Sequence, residues 1–109
     1  MSADTTWLRL ADEATLATPA LVLFPERIEE NLRRMIARAG DPARLRPHVK
    51  THKLPALVAL QARLGITRCK CATIAEAEMA AGAGAVEVTL AAPAPVSYTH
   101  LTLPTKRIV

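Results

Sequence analysis

The residues best suited to chemistry lie in one run, Arg46-Pro47-His48-Val49-Lys50-Thr51-His52-Lys53. A lysine whose pKa is depressed by desolvation or by cationic neighbours can act as a Schiff-base nucleophile. His48 and Lys50 stand two apart, so on one strand they share a face. Taken by itself, the run also reads as a plain basic loop. His48 and His52 could pair on a metal only if the segment were helical. Strand geometry and the lack of a third ligand argue against that, so no metal site is expected here. Cys69 and Cys71 also share a strand face. Two cysteines without two further ligands are a weak zinc signal, and these read as small buried apolar residues. Lys53 reads as a solvated charge near a helix start, and Trp7 as a packing residue.

These groups must be positioned by the elements around them. Thr18-Pro19 marks a boundary. Ala20 to Phe24 is a short continuous apolar run, predicted as a buried strand. Pro25 suits a first helical position. Ile28, Leu32, Met35, Ile36 and Ala39 then fall on one helical face. Glu26, Glu29 and Glu30 come early in this helix, and Arg33, Arg34 and Arg38 late, which complements the helix dipole. Glu29–Arg33 and Glu30–Arg34 are i,i+4 pairs in the favourable direction, and Gly40 supplies the stop. Asp41-Pro42 opens a loop, and Leu45 to Lys50 is predicted as a second strand, interrupted by Pro47. Pro55 to Leu64 is a second helix, stopped at Gly65, and Ile66 to Ala72 a third strand. Thr73-Ile74-Ala75-Glu76 has the form of a capping box. It opens an Ala-rich third helix that runs to about Ala81 and ends at Gly82 and Gly84. Val86 to Ala91 is a fourth strand. Alternation of this kind predicts an α/β fold with parallel strands, whose sites gather at the C-terminal strand ends. Either a small doubly wound sheet or the opening of a (β/α)8 barrel satisfies it.

Composition narrows the class. The chain has 109 residues, 50% of them apolar and 22% charged. That suits one small domain and excludes a wholly disordered chain. No apolar run approaches the ~20 uncharged residues of a membrane span, and the acidic start MSADTTWLRLADEA lacks a signal-peptide pattern. Cys69 and Cys71 are too close to staple a fold, so a reducing, cytoplasmic location is expected. The formal net charge is +4. With so few aromatic residues for stacking, a nucleic-acid module is disfavoured.

Residues 95–109 differ from the rest. VSYTHLTLPTKRIV holds the only Tyr and neither Ala nor Gly, in a chain otherwise rich in alanine. The string resembles the translation of a transposon-end sequencing adapter, with Pro95 completing the match. The expectation is a native domain over 1–94 and a non-native tail over 95–109. Setting aside the tail's Lys106 and Arg107 lowers the net charge by two. Tyr98 and His100 then leave the list of site candidates.

The segment RPHVKTHK, followed by a helix and then CKCATIAEAEMAAGAGAVEVTLAAP, resembles the fold-type III pyridoxal-phosphate enzymes. D-threonine aldolase and D-serine dehydratase form the nearest group, and alanine racemase is more distant. The opening TPALVLFPERIEENLRRM is similar to the same group, although Phe24 or Pro25 stands where its members commonly carry Asp. The resemblance covers roughly residues 15–94. It implies a (β/α)8 TIM-like barrel, truncated here to its opening βα units, with Ala20–Phe24 outside the closure. It implies that Lys50 holds pyridoxal 5'-phosphate as an internal aldimine, with His48 and His52 as further cofactor-binding candidates. It also implies a small β-hydroxy D-amino acid as substrate and a homodimer. A divalent metal is implied too, with its ligands beyond this chain. The chain alone is therefore expected to be inactive. A racemase of the same fold and a non-catalytic pyridoxal-phosphate carrier are the alternatives.

Overall fold

The computed structural model describes residues 4–91 and 107–108. Among the described residues, three α-helices and three short strands make up the regular structure, with three single-turn 3-10 helices beside them. Helix α1 spans Pro25–Ala39, α2 Pro55–Arg63 and α3 Ile74–Gly82, while β1 spans Arg68–Cys71, β2 Glu87–Leu90 and β3 Arg107–Ile108. The sheet is parallel, in the order β1-β2-β3. β1, α3 and β2 form a β-α-β unit, in which Cys69 pairs with Val88 and Cys71 with Leu90. This is a mixed, parallel α/β arrangement. Of the tail expected at 95–109, only Arg107–Ile108 lies among the described residues, beside Glu87–Val88.

α1 forms where its local signals place it. Pro25 occupies the first turn, and Gly40 takes a left-handed φ of 87° while its N–H bonds back to Ile36. A glycine adopts that conformation without the steric cost of a Cβ. Leu32 is buried, and Ile28, Met35, Ile36 and Ala39 are half-buried on the predicted face. Arg33 pairs with Glu29 at 2.7 Å and Arg34 with Glu30 at 2.9 Å. Both pairs are exposed, so each adds about 0.3–0.5 kcal/mol at most.

The core sits between the sheet and helices α2 and α3. Val49, Val58, Cys69, Cys71, Ala77, Ala80, Ala85 and Val88 form one buried cluster. The alternation along β1, with Cys69 and Cys71 in and Arg68 and Lys70 out, follows the two-residue period of a strand. Alanines at 77 and 80 let α3 lie close on the sheet. The predicted capping box is present. Thr73 Oγ1 accepts from Glu76 N–H at 3.1 Å, and Glu76 reaches back to the N–H of Ala72 at 3.0 Å. Thr73→Ala is expected to cost about 1 kcal/mol, read as a lower midpoint in urea.

Two predicted strands are not formed as strands. Ala20–Phe24 forms no strand, and Leu21 is 71% exposed. An apolar run becomes a strand only where another strand offers a ladder, and none among the described residues does so here. Leu45–Lys50 contracts to a single parallel bridge, His48 to Lys70. Its two bonds run from Lys70 N–H to Pro47 O at 2.8 Å and from Val49 N–H to Lys70 O at 2.9 Å. The next bond towards Arg46 would need an N–H on Pro47, which has none. On the other side Glu76 takes the Ala72 N–H and Lys53 N–H takes Val49 O, so the ladder stops there too.

Candidate functional site

The bridge fixes how the basic run is presented. Val49 is fully buried in the core. His48 stands in register with Lys70 on the opposite, polar face of the sheet. Lys50 is exposed in the turn that follows, and no carboxylate among the described residues pairs with its amine. His48 and Lys50 therefore meet through a local bond, not through a shared strand face as predicted. The Lys50 backbone N–H donates to His48 Nδ1 at 3.2 Å.

His52 plays a parallel role one turn later. The Leu54 N–H donates to its Nδ1 at 2.9 Å, just before α2. That bond places the ring proton on Nε2, which is buried and has no hydrogen-bond partner. Burial lowers the His52 pKa from its ordinary 6.5. The imidazole is thus neutral around pH 7, with an unspent donor. Lys53, in the left-handed region at φ 53°, turns the chain towards α2. Its amine stands 3.9 Å from Glu76 Oε2 while remaining mostly exposed.

Glu76 is the site's least visible participant in the sequence. The capping box predicted its bond, but not that it would be 5% exposed. It accepts from Ala72 N–H and from Thr73 Oγ1–H, the latter at 3.1 Å. The Ala72 N–H, then Thr73, Lys53 and His48, hold its carboxyl below the ordinary 4.5. With Lys53, Thr73, Ala75 and Met79 it lines a shallow cleft of about 250 Å³. Its basic and acidic groups, Lys53 and Glu76, come from segments more than twenty residues apart that only the fold brings together.

A second group, on the polar sheet face, had no sequence signal. Arg46 donates to Thr89 Oγ1 at 2.6 Å and to Glu87 Oε1 at 2.5 Å. Arg68 Nε lies 3.9 Å from Glu87 Oε2. These partners are about forty residues apart in sequence, beyond the reach of any local pattern.

No cluster of His, Cys, Asp and Glu among the described residues could hold a metal ion. Cys69 and Cys71 behave as core residues. Burial, then the neighbouring Cys71, raises the Cys69 thiol to about 11. Burial, then Glu76, raises that of Cys71. Iodoacetamide near pH 7.5 is expected to modify them slowly in the folded chain and quickly in denaturant, as counted by mass spectrometry. Among the described residues, no helix is long and apolar enough to cross a membrane.

No family model matches the chain, and no solved structure does. Two curated proteins match it. D-threo-3-hydroxyaspartate dehydratase of Delftia sp. (strain HT23) is 42% identical over 65 residues, covering 59% of this chain and 17% of that protein. D-threonine aldolase of Arthrobacter sp is also 42% identical over 65 residues, with the same coverage of each chain. The chain thus spans about a sixth of the length of these relatives. The likeness is to enzymes, one a dehydratase and one an aldolase.

Proposed function

We propose that this chain is the opening part of a cytoplasmic pyridoxal-phosphate-dependent lyase of the fold-type III family, acting on small β-hydroxy D-amino acids. The observation that carries this reading is the agreement of the two relatives. The names of both describe action on a D-amino acid with a hydroxyl on its β-carbon. The parallel β-α-β unit is compatible with the start of a (β/α)8 barrel, which the complete enzyme would close.

The residues present fit the cofactor at one point. Lys50 offers an exposed primary amine with no carboxylate partner among the described residues, at the end of a sheet-borne segment. It would hold pyridoxal phosphate through Nζ. The bound cofactor supplies an electron sink for the bond broken at the substrate's Cα. Lys50 Nζ would also be this chain's own group for moving a proton at the substrate's Cα or β-hydroxyl. His48 accepts the Lys50 N–H and so orients the backbone that carries the amine. His52 accepts the Leu54 N–H at the residue just before α2, and the turn between the two histidines is closed by the Lys53 N–H on Val49 O. Their role is to shape the turn, and either ring could also touch the cofactor. The divalent metal of such lyases finds no ligand set among the described residues, and its ligands are expected in the remainder of a complete enzyme.

Residues 95–109 fit this reading as translated adapter, with the native frame leaving the chain near Ala94. Sequencing the source DNA across that junction tests the point. A frame continuing into further strand–helix units and a late His/Cys pair supports the lyase. A bare barrel without that pair favours a pyridoxal-phosphate carrier instead. A racemase on the same fold is distinguished by assay. The completed enzyme is expected to cleave or dehydrate D-threonine or D-threo-3-hydroxyaspartate, whereas inversion at Cα with no carbonyl product would overturn the lyase. The 109-residue chain is expected to show no turnover with either substrate.

A further inference from the structure

We propose that Arg46 is a positioning residue for Lys50, clamping the site-bearing segment to the sheet where the backbone cannot. This rests on the reading of Lys50 as the cofactor lysine. The segment from Leu45 to Lys50 is tied to β1 by one bridge only, because Pro47 has no N–H to extend the ladder. A strand held by so short a ladder has a weakly specified register. A slip of one residue would exchange the two faces, burying His48 and expelling Val49. Two features oppose that slip. Val49 is buried in the core on one face. On the other face, Arg46 reaches over β1 and donates to both Thr89 and Glu87 of β2.

The clamp is built for this task. Arg68 pairs in register with Glu87, and Lys70 with Thr89, so Arg46 takes both of its partners from residues that face the same side. Its side chain is 31% exposed and that of Glu87 19%, so the pair is partly shielded from solvent. A guanidinium fork holding two acceptors on one strand fixes position along that strand, which a single ammonium cannot do. Arg46 lies four residues before Lys50. Its hydrogen bonds go to Thr89 and Glu87 of β2 and not to Lys50, so its effect on the site passes through the backbone between them.

The test uses the 109-residue chain treated with pyridoxal phosphate and then borohydride. Peptide mass mapping gives the labelling of Lys50 relative to Lys53 and Lys70 in the same molecules. The unsubstituted chain is expected to label preferentially at Lys50. Arg46→Gln is expected to lower that preference about tenfold, the worth of one charge-assisted hydrogen bond, with the circular dichroism unchanged. Thr89→Val, which removes one of the two bonds, should lower it less, and Arg46→Lys should restore part of it. An unchanged preference in a folded Arg46→Gln chain overturns the proposal. If that variant does not fold, an unchanged preference in Thr89→Val overturns it. Absence of any Lys50 preference in the unsubstituted chain overturns this proposal, while the reading of Lys50 is decided separately by labelling of the completed enzyme.

Discussion

Lys50→Ala is expected to abolish the absorbance that pyridoxal phosphate gains on forming an imine with the completed enzyme, and to reduce turnover to background. The loss should be complete, not partial, because no other lysine among the described residues shares the geometry of Lys50. Lys53 is turned towards Glu76 at 3.9 Å, and Lys70 lies within β1, two bonds of the bridge away from the turn. Neither can take over without moving the segment that Val49 anchors in the core. The substitution itself should leave stability nearly unchanged. Lys50 is exposed, and what it gives the fold is a backbone N–H to His48, which alanine retains. A survival of the imine absorbance in Lys50→Ala would place the cofactor on another lysine.

Glu76→Ala is expected to be the most damaging single change to the fold among the polar residues described. The carboxylate is almost wholly buried and satisfies the Ala72 N–H, the Thr73 hydroxyl and, more distantly, Lys53. Alanine leaves the Ala72 N–H without its partner and removes two charge-assisted bonds. The expected cost is about 3 kcal/mol, a large share of the few kcal/mol by which a domain this small is stable. Glu76→Gln, which keeps an acceptor for Ala72, should cost roughly 1 kcal/mol. Urea titration of the variants checks both values.

The same group sets an acid limit. The folded-state pKa of Glu76 lies below the ordinary 4.5, chiefly because of the Ala72 N–H. Its ionised form therefore favours the fold. That stabilisation is fully present above the unfolded value and is lost as pH falls through the folded one. His52 adds an earlier loss. Burial lowers its pKa from 6.5, so below that pH the unfolded chain takes up a proton that the fold resists. Stability is expected to begin falling below about pH 6.5 and to fall further below about 4.5. Glu76→Gln should remove the second loss alone. An unfolding midpoint independent of pH between 7 and 4 would contradict both assignments.

The elements legible in the sequence are those whose signals are local. α1 carries its own start at Pro25, its charge order, its i,i+4 pairs and its stop at Gly40. α3 carries its capping box, and the alternation of β1 hides Cys69 and Cys71 as predicted. The strands were harder because a strand exists only by its partner. Ala20–Phe24 looks like one and pairs with nothing described, while Pro47 cuts the ladder that Leu45–Lys50 would have made. At the site, residue types pointed to Lys50, His48 and His52. The burial of Glu76 and the Arg46 clamp were legible only in three dimensions, since both depend on residues distant in sequence being packed together.

Lys50 is proposed here as the residue that carries pyridoxal phosphate. This assignment is tested most directly by borohydride fixation of the cofactor on the completed enzyme, followed by identification of the modified peptide. One stoichiometric label is expected, on the peptide containing Lys50. A label on any other lysine, or a scatter over Lys50, Lys53 and Lys70 alike, would contradict it.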